Sequence, residues 1–456
     1  MFPPFFYPEE SFRHRQQLFA KSALGRFHAS LPISQLAALL PERKTKLGAK
    51  PWFDNYAKIA LQFLKAYEGR SDAKLLERLN TDWALQMFCG IQLASGQQIK
   101  DKDLIWKTRT WVSAHLDKDK AQALLISHWK PWMSNLHLGM SDATCYESYI
   151  KFPTDVKLLW DSIQWLHRQI KRLAKALGQR RPRNKYKDQK KKQLNYARRR
   201  RKTRKLERRR RRQLLYLCNK LLFQMGSLLD TWSQQEAPDE NLVDEFTWQR
   251  YQIIGKIHVQ QAYHYEYPAE SIPGRIVSLY KPYLRPIVRG KESKRVEFGM
   301  KVNTWQVDGL NFIEHLSFSA FHEGNRLKQG IAFHHRHFGK LRTVGADAIY
   351  ATNANRSHCS KLNIATSFKP KGRRKQDNLL RQQEDLARKA IATARSTVLE
   401  GSYGNDKNHY GLRKVKARNE LTEVAWVFFG MMTANAVKVG KRMAKALPTD
   451  TRNRIP

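Results

Sequence analysis

The sequence contains little cysteine and no long apolar run. Its four cysteines lie far apart and form no CxxC pair, so they suggest neither a zinc site nor a disulfide framework. We expect small buried side chains at these positions, which are Cys89, Cys145, Cys218 and Cys359. The most apolar stretch, residues 424–437, contains Thr433 and Asn435 and is about 14 residues long, short of the ~18 that span a bilayer. The sequence therefore predicts no membrane span.

Acidic residues are also scarce. There are 40 Asp and Glu against 84 Lys and Arg, which gives a formal net charge of +44 and a pI near 10.3. Such a chain attracts polyanions, because each phosphate that it neutralises releases condensed counterions. The N-terminus starts with aromatic residues but meets Glu9, Glu10 and Arg13 before any apolar h-region, unlike a signal peptide. We therefore expect a cytoplasmic protein whose partner is nucleic acid.

The N-terminal third has a helical pattern. Tyr56, Ile59, Phe63 and Tyr67 recur at steps of three and four residues, as they do on one face of a helix. This pattern predicts an all-α DNA-binding domain at residues 31–135, preceded by an arm at residues 1–30. The domain could include a helix-turn-helix, and a plain helical bundle explains the same pattern.

Two apolar seams flank a very basic segment. Apolar residues alternate steps of three and four from Val156 to Leu177 and again from Leu215 to Trp232, which predicts a helical hairpin at residues 156–250. Between them, residues 171–212 carry 23 Lys or Arg and two acids, a local net charge of +21. A solvated or disordered run is the ordinary explanation. We expect instead a DNA-binding tip that becomes ordered mainly on nucleic acid, with these residues as its core: Arg208, Arg209, Arg210, Arg211 and Arg212.

Strand patterns surround this insertion. Short apolar or alternating stretches at residues 136–150, 296–302, 339–350 and 363–368 predict strands, and the last 80 residues have a helical pattern. We therefore expect an α/β fold in which a mixed sheet, flanked by helices, is built from residues 136–155 and 251–418. A C-terminal helix and tail would follow at residues 419–456.

Three carboxylates have distinctive positions in this arrangement. Asp142 lies within the first strand, Asp347 ends another, and Glu400 lies in a helix. A mixed sheet can bring them to one edge, where two Asp and one Glu can hold two divalent metals. Lys407 follows Glu400 by two helical turns, but the two intervening glycines weaken the prediction of a continuous helix. A loop Lys that grips a DNA phosphate is equally compatible.

Other residues compete for these roles. Four acids rank lower, one of them, Asp155, because it looks like an ordinary helix cap; they are Glu147, Asp155, Asp308 and Glu314. The histidine cluster at residues 334–337 lacks metal-ligand spacing, so we interpret it as a basic surface strand or turn. Three aromatic residues could stack on unpaired bases or belong to the core; they are Trp305, Tyr280 and Tyr283.

At these residues the chain resembles bacterial insertion-sequence transposases of the DDE type, which have an RNase H-like catalytic domain. The resemblance covers residues 31–418. The motifs that carry it are Ser141-Asp142-Ala143-Thr144, the segment 149–155, Arg285 to Lys291 running into Val296 to Gly299, Val307-Asp308-Gly309, Ala346 to Tyr350, and Glu400-Gly401 through Lys407 to Leu412.

The resemblance implies a function. Asp142, Asp347 and Glu400 would be the catalytic and metal-binding residues, with two Mg²⁺ or Mn²⁺ ions as cofactor. The protein would bind the terminal inverted repeats of its element as double-stranded DNA, cut them, and join the freed 3′ hydroxyls to target DNA. This is transposition, a form of DNA recombination. The N-terminal helices would bind the ends, a homodimer or higher oligomer would form on DNA, and the protein would lie with the bacterial nucleoid.

One departure from the family pattern leaves alternatives open. Related enzymes place a Tyr seven and an Arg four residues before the glutamate, where this chain has Thr393 and Ser396. Arg395 is one position away, about 100° round an ideal helix. The alternatives are an RNase H-like nuclease without strand transfer, and a catalytically decayed transposase that acts only as a nucleic-acid-binding protein.

Overall fold

The computed structural model describes residues 8–42, 53–94, 96–235, 239–288, 296–372 and 379–446. The aromatic start at residues 1–7 and the predicted tail at residues 447–456 lie outside these ranges. Part of the motif between Arg285 and Lys291 also lies outside them.

Helices account for most of the described chain. In chain order they are α1 (Pro8–Lys21), α2 (Ala23–Ala29), α3 (Ile33–Ala37), α4 (Asn55–Glu68), α5 (Asp72–Thr81), α6 (Trp83–Phe88), α7 (Leu104–His115), α8 (Lys118–Trp129), α9 (Asp155–Ala176), α10 (Tyr186–Arg198), α11 (Arg204–Ser233), α12 (Glu245–Glu266), α13 (Leu327–Phe338), α14 (Asn353–Lys361), α15 (Leu379–Ala394), α16 (Glu400–His409) and α17 (Glu420–Ala446). A π-helical turn, Arg395–Leu399, joins α15 to α16.

The strands form a mixed sheet. They are β1 (Leu138–Glu147), β2 (Pro286–Val288), β3 (Val296–Val307), β4 (Leu310–Ser317), β5 (Thr343–Ala346) and β6 (Ala365–Thr366). Central β1 is antiparallel to β3 and parallel to β5; β3 also pairs with β4 and, at its start, with β2, while β6 extends the sheet beyond β5. The prediction of a mixed α/β protein is confirmed.

The chain divides into two compact units. The first comprises residues 1–149 and 299–456, so the N-terminal helices and most of the sheet belong to one unit. The second comprises residues 150–298 and contains all of the predicted insertion. The domain boundaries inferred from the sequence remain predictions.

A buried tryptophan determines the packing of the central strands in the first unit. Trp305 on β3 is fully buried and lies against Gly139 of β1 and Gly330 of α13. A Cβ at either glycine would come within 2.5 Å of the indole ring, so glycine is needed at both places. Trp305 is therefore a core residue and does not lie where it could stack on an unpaired base. The interpretation of residues 334–337 as a basic surface strand or turn is wrong, because they lie in α13 and His334 is fully buried.

The second unit contains the two predicted seams. Apolar residues of α9 and α11 form one continuous core, to which α12 also contributes. Buried Asp155, the first residue of α9, accepts from Arg275 at 2.6 Å and from Nδ1 of His264 at 3.1 Å, and lies 3.4 Å from Arg211. The segment that we expect to become ordered on nucleic acid is helical here, in α10 and the first half of α11.

Two further predictions concern membrane-spanning helices and the four cysteines. Over these ranges, no helix is both long and apolar enough to cross a bilayer. All four cysteines are buried, as expected.

Candidate active site

The sheet brings the two predicted aspartates to neighbouring strands. Asp142 lies near the middle of β1, and Asp347 follows the last residue of β5. In the parallel ladder, Ser141 is the partner of Ala346, so Asp142 on β1 and Asp347 at the end of β5 come next to each other. Each carboxylate also accepts from the following backbone amide, at 2.8 Å for Asp142 and 2.7 Å for Asp347. Asp347 therefore lies at the carboxyl end of a parallel strand, which is where ligands commonly bind in such sheets.

Helix packing places Glu400 at the same edge. Leu399 and Tyr403, four residues apart, pack on Met140 of β1 in a small apolar cluster. The Tyr403 hydroxyl also donates to the main-chain carbonyl of Asp142 at 3.0 Å. Because these side chains fix the inner face of α16, Glu400 lies on its margin, with more than half of its side chain exposed.

One guanidinium connects the three carboxylates. Arg395 Nη1 donates to Asp142 Oδ2 at 2.9 Å, and Arg395 lies 3.8 Å from both Asp347 Oδ1 and Glu400 Oε1. Arg395 and Asp142 are both 14% exposed, whereas Asp347 is 54% and Glu400 59% exposed. Three residues separated by 205 and 53 positions therefore converge on one point. One positive charge against three negative charges leaves a net of −2.

The electrostatics of the site favour an added cation. Burial raises the pKa of Asp142 to about 6, and the charges of Glu323 and Asp347 act in the same direction. The Ala143 amide and Arg395 oppose this rise. The effect of burial therefore outweighs both stabilising contacts, and a further cation beside Asp142 would favour its charged form.

A π-helical turn explains how Arg395 reaches the site. In the turn Arg395–Leu399 the bonding is i→i+5, so it holds one residue more than an α-helical turn. Arg395 lies five residues before Glu400. Because of the extra residue, Arg395 points in the direction that a residue four positions before Glu400 would take in a regular α-helix. The hydroxyls of Ser396 and Thr397 both donate to the Thr393 carbonyl, at 3.0 and 2.8 Å. The expectation that Arg395 faces about 100° away is therefore wrong.

The same helix continues to Lys407. Gly401 and Gly404 have open space where a Cβ would lie, and α16 runs through both to His409. Lys407 Nζ donates to Thr144 Oγ1 at 2.9 Å, two residues along β1 from Asp142. Lys407 is thus a helical residue beside the carboxylates, and its predicted contact with DNA remains a prediction.

The four rival acids have other partners. Glu147 pairs with Lys414, Asp308 with Arg442 at 2.9 Å, and Glu314 with Arg326, while Asp155 is held by the cations of the second unit. None of the four contacts Arg395 in the described structure. Sequence reasoning assigned no role to Thr144 or Tyr403, although both lie within the quoted motifs, and it did not single out Glu323.

The five arginines predicted to bind DNA have different environments. Arg208, Arg209 and Arg212 are exposed on α11. Arg210 is buried and donates to Gln189 at 2.6 Å and to Gln193 at 2.9 Å, which joins α10 to α11. Burial lowers the pKa of Arg210 to about 10. Arg211 is held by Asp155, so three of the five remain available to a ligand.

The donor set fits a divalent cation in its chemistry. Carboxylate oxygens are the ligands that Mg²⁺ and Mn²⁺ prefer, and the guanidinium shows where a positive charge is stabilised. In their present positions, no group of three acids, histidines or cysteines in the described ranges could hold a metal ion. The side chains of Asp347 and Glu400 are more than half exposed, so an ion from solvent has access to both carboxylates.

Comparison with known families agrees with this geometry. Residues 344–432 match the family model of the transposase DDE domain, a range that includes Asp347, Arg395, Glu400 and Lys407. The match supports a DDE transposase family. Such enzymes act on DNA and generally use divalent metals. Asp142 lies outside the matched range, and no curated protein and no solved structure shows a significant match to the chain.

Proposed function

We propose that this protein is a DDE transposase of an insertion sequence. It binds terminal inverted repeats and catalyses metal-dependent cleavage and strand transfer. The observation that carries the proposal is the convergence of Asp142, Asp347 and Glu400 on Arg395, in a chain whose net charge is +44. A mixed sheet with β1 antiparallel to β3 and parallel to β5 supports an RNase H-like catalytic domain.

The residues of the site have separate tasks in this proposal. Asp142, on β1, is the most buried of the three ligands, and Asp347 and Glu400 complete the set from the exposed side. Two bound Mg²⁺ or Mn²⁺ ions would supply activation of water or a 3′ hydroxyl and stabilisation of the leaving oxygen. Arg395 offsets the repulsion among the carboxylates, and Lys407 adds positive charge beside Thr144.

The test is cleavage and joining of DNA that carries the element's own flanking repeats. Asp142→Asn and Asp347→Asn should each reduce cleavage in Mg²⁺ by at least about a thousandfold, because each removes a charged ligand. DNA binding in EDTA should persist. Glu384→Gln, which removes an exposed acid of α15, is the matched control and should cleave normally.

Products separate the competing functions. Joined strands support a transposase, whereas cleavage without joining supports a nuclease of the same type. Binding without cleavage by the wild type would indicate a decayed copy, and full activity of either Asn variant would refute the site.

A further inference from the structure

A second concentration of charge lies within the first unit, in a cleft that belongs to neither the carboxylate site nor α11. Its walls come from the end of α4 and the following turn, the start of α7, the segment 411–418 and α17. The cleft has a volume of about 700 Å³. Eight of its lining residues are Lys or Arg and two are Asp, which gives a net charge of +6. The cleft therefore favours an anion.

The floor of the cleft holds two buried cations that share one carboxylate. Lys65 and Arg109 are 8% and 6% exposed, and both pair with one carboxylate, Asp72, at 2.7 and 2.9 Å. Burial lowers the pKa of Lys65, and the charges of Arg109 and Lys416 lower it further, against the effect of Asp72. Two buried positive charges that share one negative charge carry an unfavourable excess, which a bound anion would offset.

The rim of the cleft adds exposed cations. In the part of the chain that the structure describes, Lys102, Arg413, Lys416 and Arg418 are exposed and form no ion pair. Trp106, also on the rim, is 40% exposed. An exposed aromatic ring among unpaired cations is a common arrangement for sugars and bases next to a phosphate chain.

We propose that this cleft binds the phosphate backbone of DNA, with Lys65 and Arg109 beneath one phosphate and the rim cations along its neighbours. Eight cations would overcompensate a single phosphate, so the positive charge of the cleft fits several consecutive phosphates. The segment 411–418 begins one residue after the end of α16, the helix that carries Glu400, so one short stretch of chain links the two sites. The inference names DNA as the ligand and in this respect rests on the proposed function.

A free nucleoside triphosphate offers the same phosphate chemistry, so the experiment uses both ligands. The variant replaces three rim cations, Lys102→Gln, Lys416→Gln and Arg418→Gln, in the full chain. A matched control removes three exposed cations of the same unit outside the cleft, Lys74→Gln, Arg336→Gln and Lys361→Gln. Binding of a labelled random-sequence duplex is measured by anisotropy over a salt series in EDTA, and ATP binding by calorimetry.

The rim variant should bind the duplex about tenfold more weakly or worse, and the slope of log K against log salt should flatten by up to about 2.7. The control should change both far less. Asp103→Asn, which removes an acid from the rim, should strengthen duplex binding, an effect of opposite sign that damage to the fold would not produce.

Unchanged duplex binding by the rim variant overturns the proposal, and loss of ATP binding alone would assign the cleft to a free nucleotide. The transposase proposal and the cleft proposal can be refuted independently of each other. If the wild type cleaves DNA while the rim variant binds normally, only the cleft is refuted. If the wild type never cleaves but its DNA binding depends on the rim, the cleft stands and the transposase does not.

Discussion

At the scale of single residues, the contact between Trp305 and His334 determines a protonation state. Trp305 Nε1 donates to His334 Nδ1 at 3.1 Å, so that nitrogen must be an acceptor and the imidazole must be neutral. Burial lowers the pKa of His334 to about 4. Protonation would place two donors against each other inside the core.

This contact predicts a loss of stability in mild acid. The unfolded chain binds the proton near pH 6.5 and the folded chain only near pH 4, so the stabilisation is complete above pH 6.5 and is lost as the pH falls between these values. The loss amounts to about 3 kcal/mol. His334→Gln, which still offers an acceptor, should flatten the dependence of unfolding free energy on pH in denaturant titrations. The neighbouring exposed His335→Gln should not, and equal slopes for all three proteins would disprove the argument.

At the scale of elements, the π-helical turn allows the helical segments before and after it to pack against the sheet at the same time. Upstream, Ile391 of α15 packs near Gly345 of β5; downstream, Leu399 and Tyr403 pack on Met140 of β1. The extra residue of the turn lets both contacts form while Arg395 faces Asp142. One-residue insertions of this kind are frequent at functional sites.

Deleting exposed Thr397 should convert the turn to α-helix with Arg395 still beside Asp142, at a cost within about 1 kcal/mol. Deleting Gly404, also exposed but inside regular α-helix, should cost about 3 kcal/mol or more. It turns buried Asp406 away from Tyr146 and Asn311, to which it is hydrogen-bonded. Thermal unfolding measures both variants, and equal costs would contradict the interpretation of the turn as an inserted residue.

At the scale of the whole molecule, charge is distributed unevenly. A site with net charge −2 lies in a chain of net charge +44, and much of the positive charge belongs to the second unit. Repulsion among so many cations opposes the compact state, and a polyanion relieves it. The cations of α11 are not equally available to a polyanion, because only some of them face solvent.

Replacing the exposed Arg208, Arg209 and Arg212 with Gln should weaken binding to all DNA sequences alike. The slope of log K against log salt should flatten by up to about 0.9 for each phosphate that the variant no longer neutralises, with preference for the terminal repeat unchanged. Arg210→Gln should lower the melting temperature and leave the slope nearly unaltered, because Arg210 is buried between α10 and α11. A selective loss of terminal-repeat binding in the triple variant would make the second unit the sequence reader.

The sequence by itself predicted several of the elements and a chain whose partner is a polyanion. Periodicity located β1, α9 and α11 because local side-chain patterns reflect the face that each element buries. The resemblance singled out Asp142, Asp347 and Glu400 through short motifs. Charge composition indicated a polyanionic partner without reference to the fold.

Only the tertiary structure decided which of these residues meet. Arg395 reaches the carboxylates through an unusual turn, and helix periodicity assumes regular α-helix and so placed it on the wrong face. Arg210 is buried although its neighbours in sequence are exposed, since burial depends on α10 packing over α11. The basic cleft joins residues near 65, 109 and 416, which no local pattern connects, because such sites arise from long-range packing.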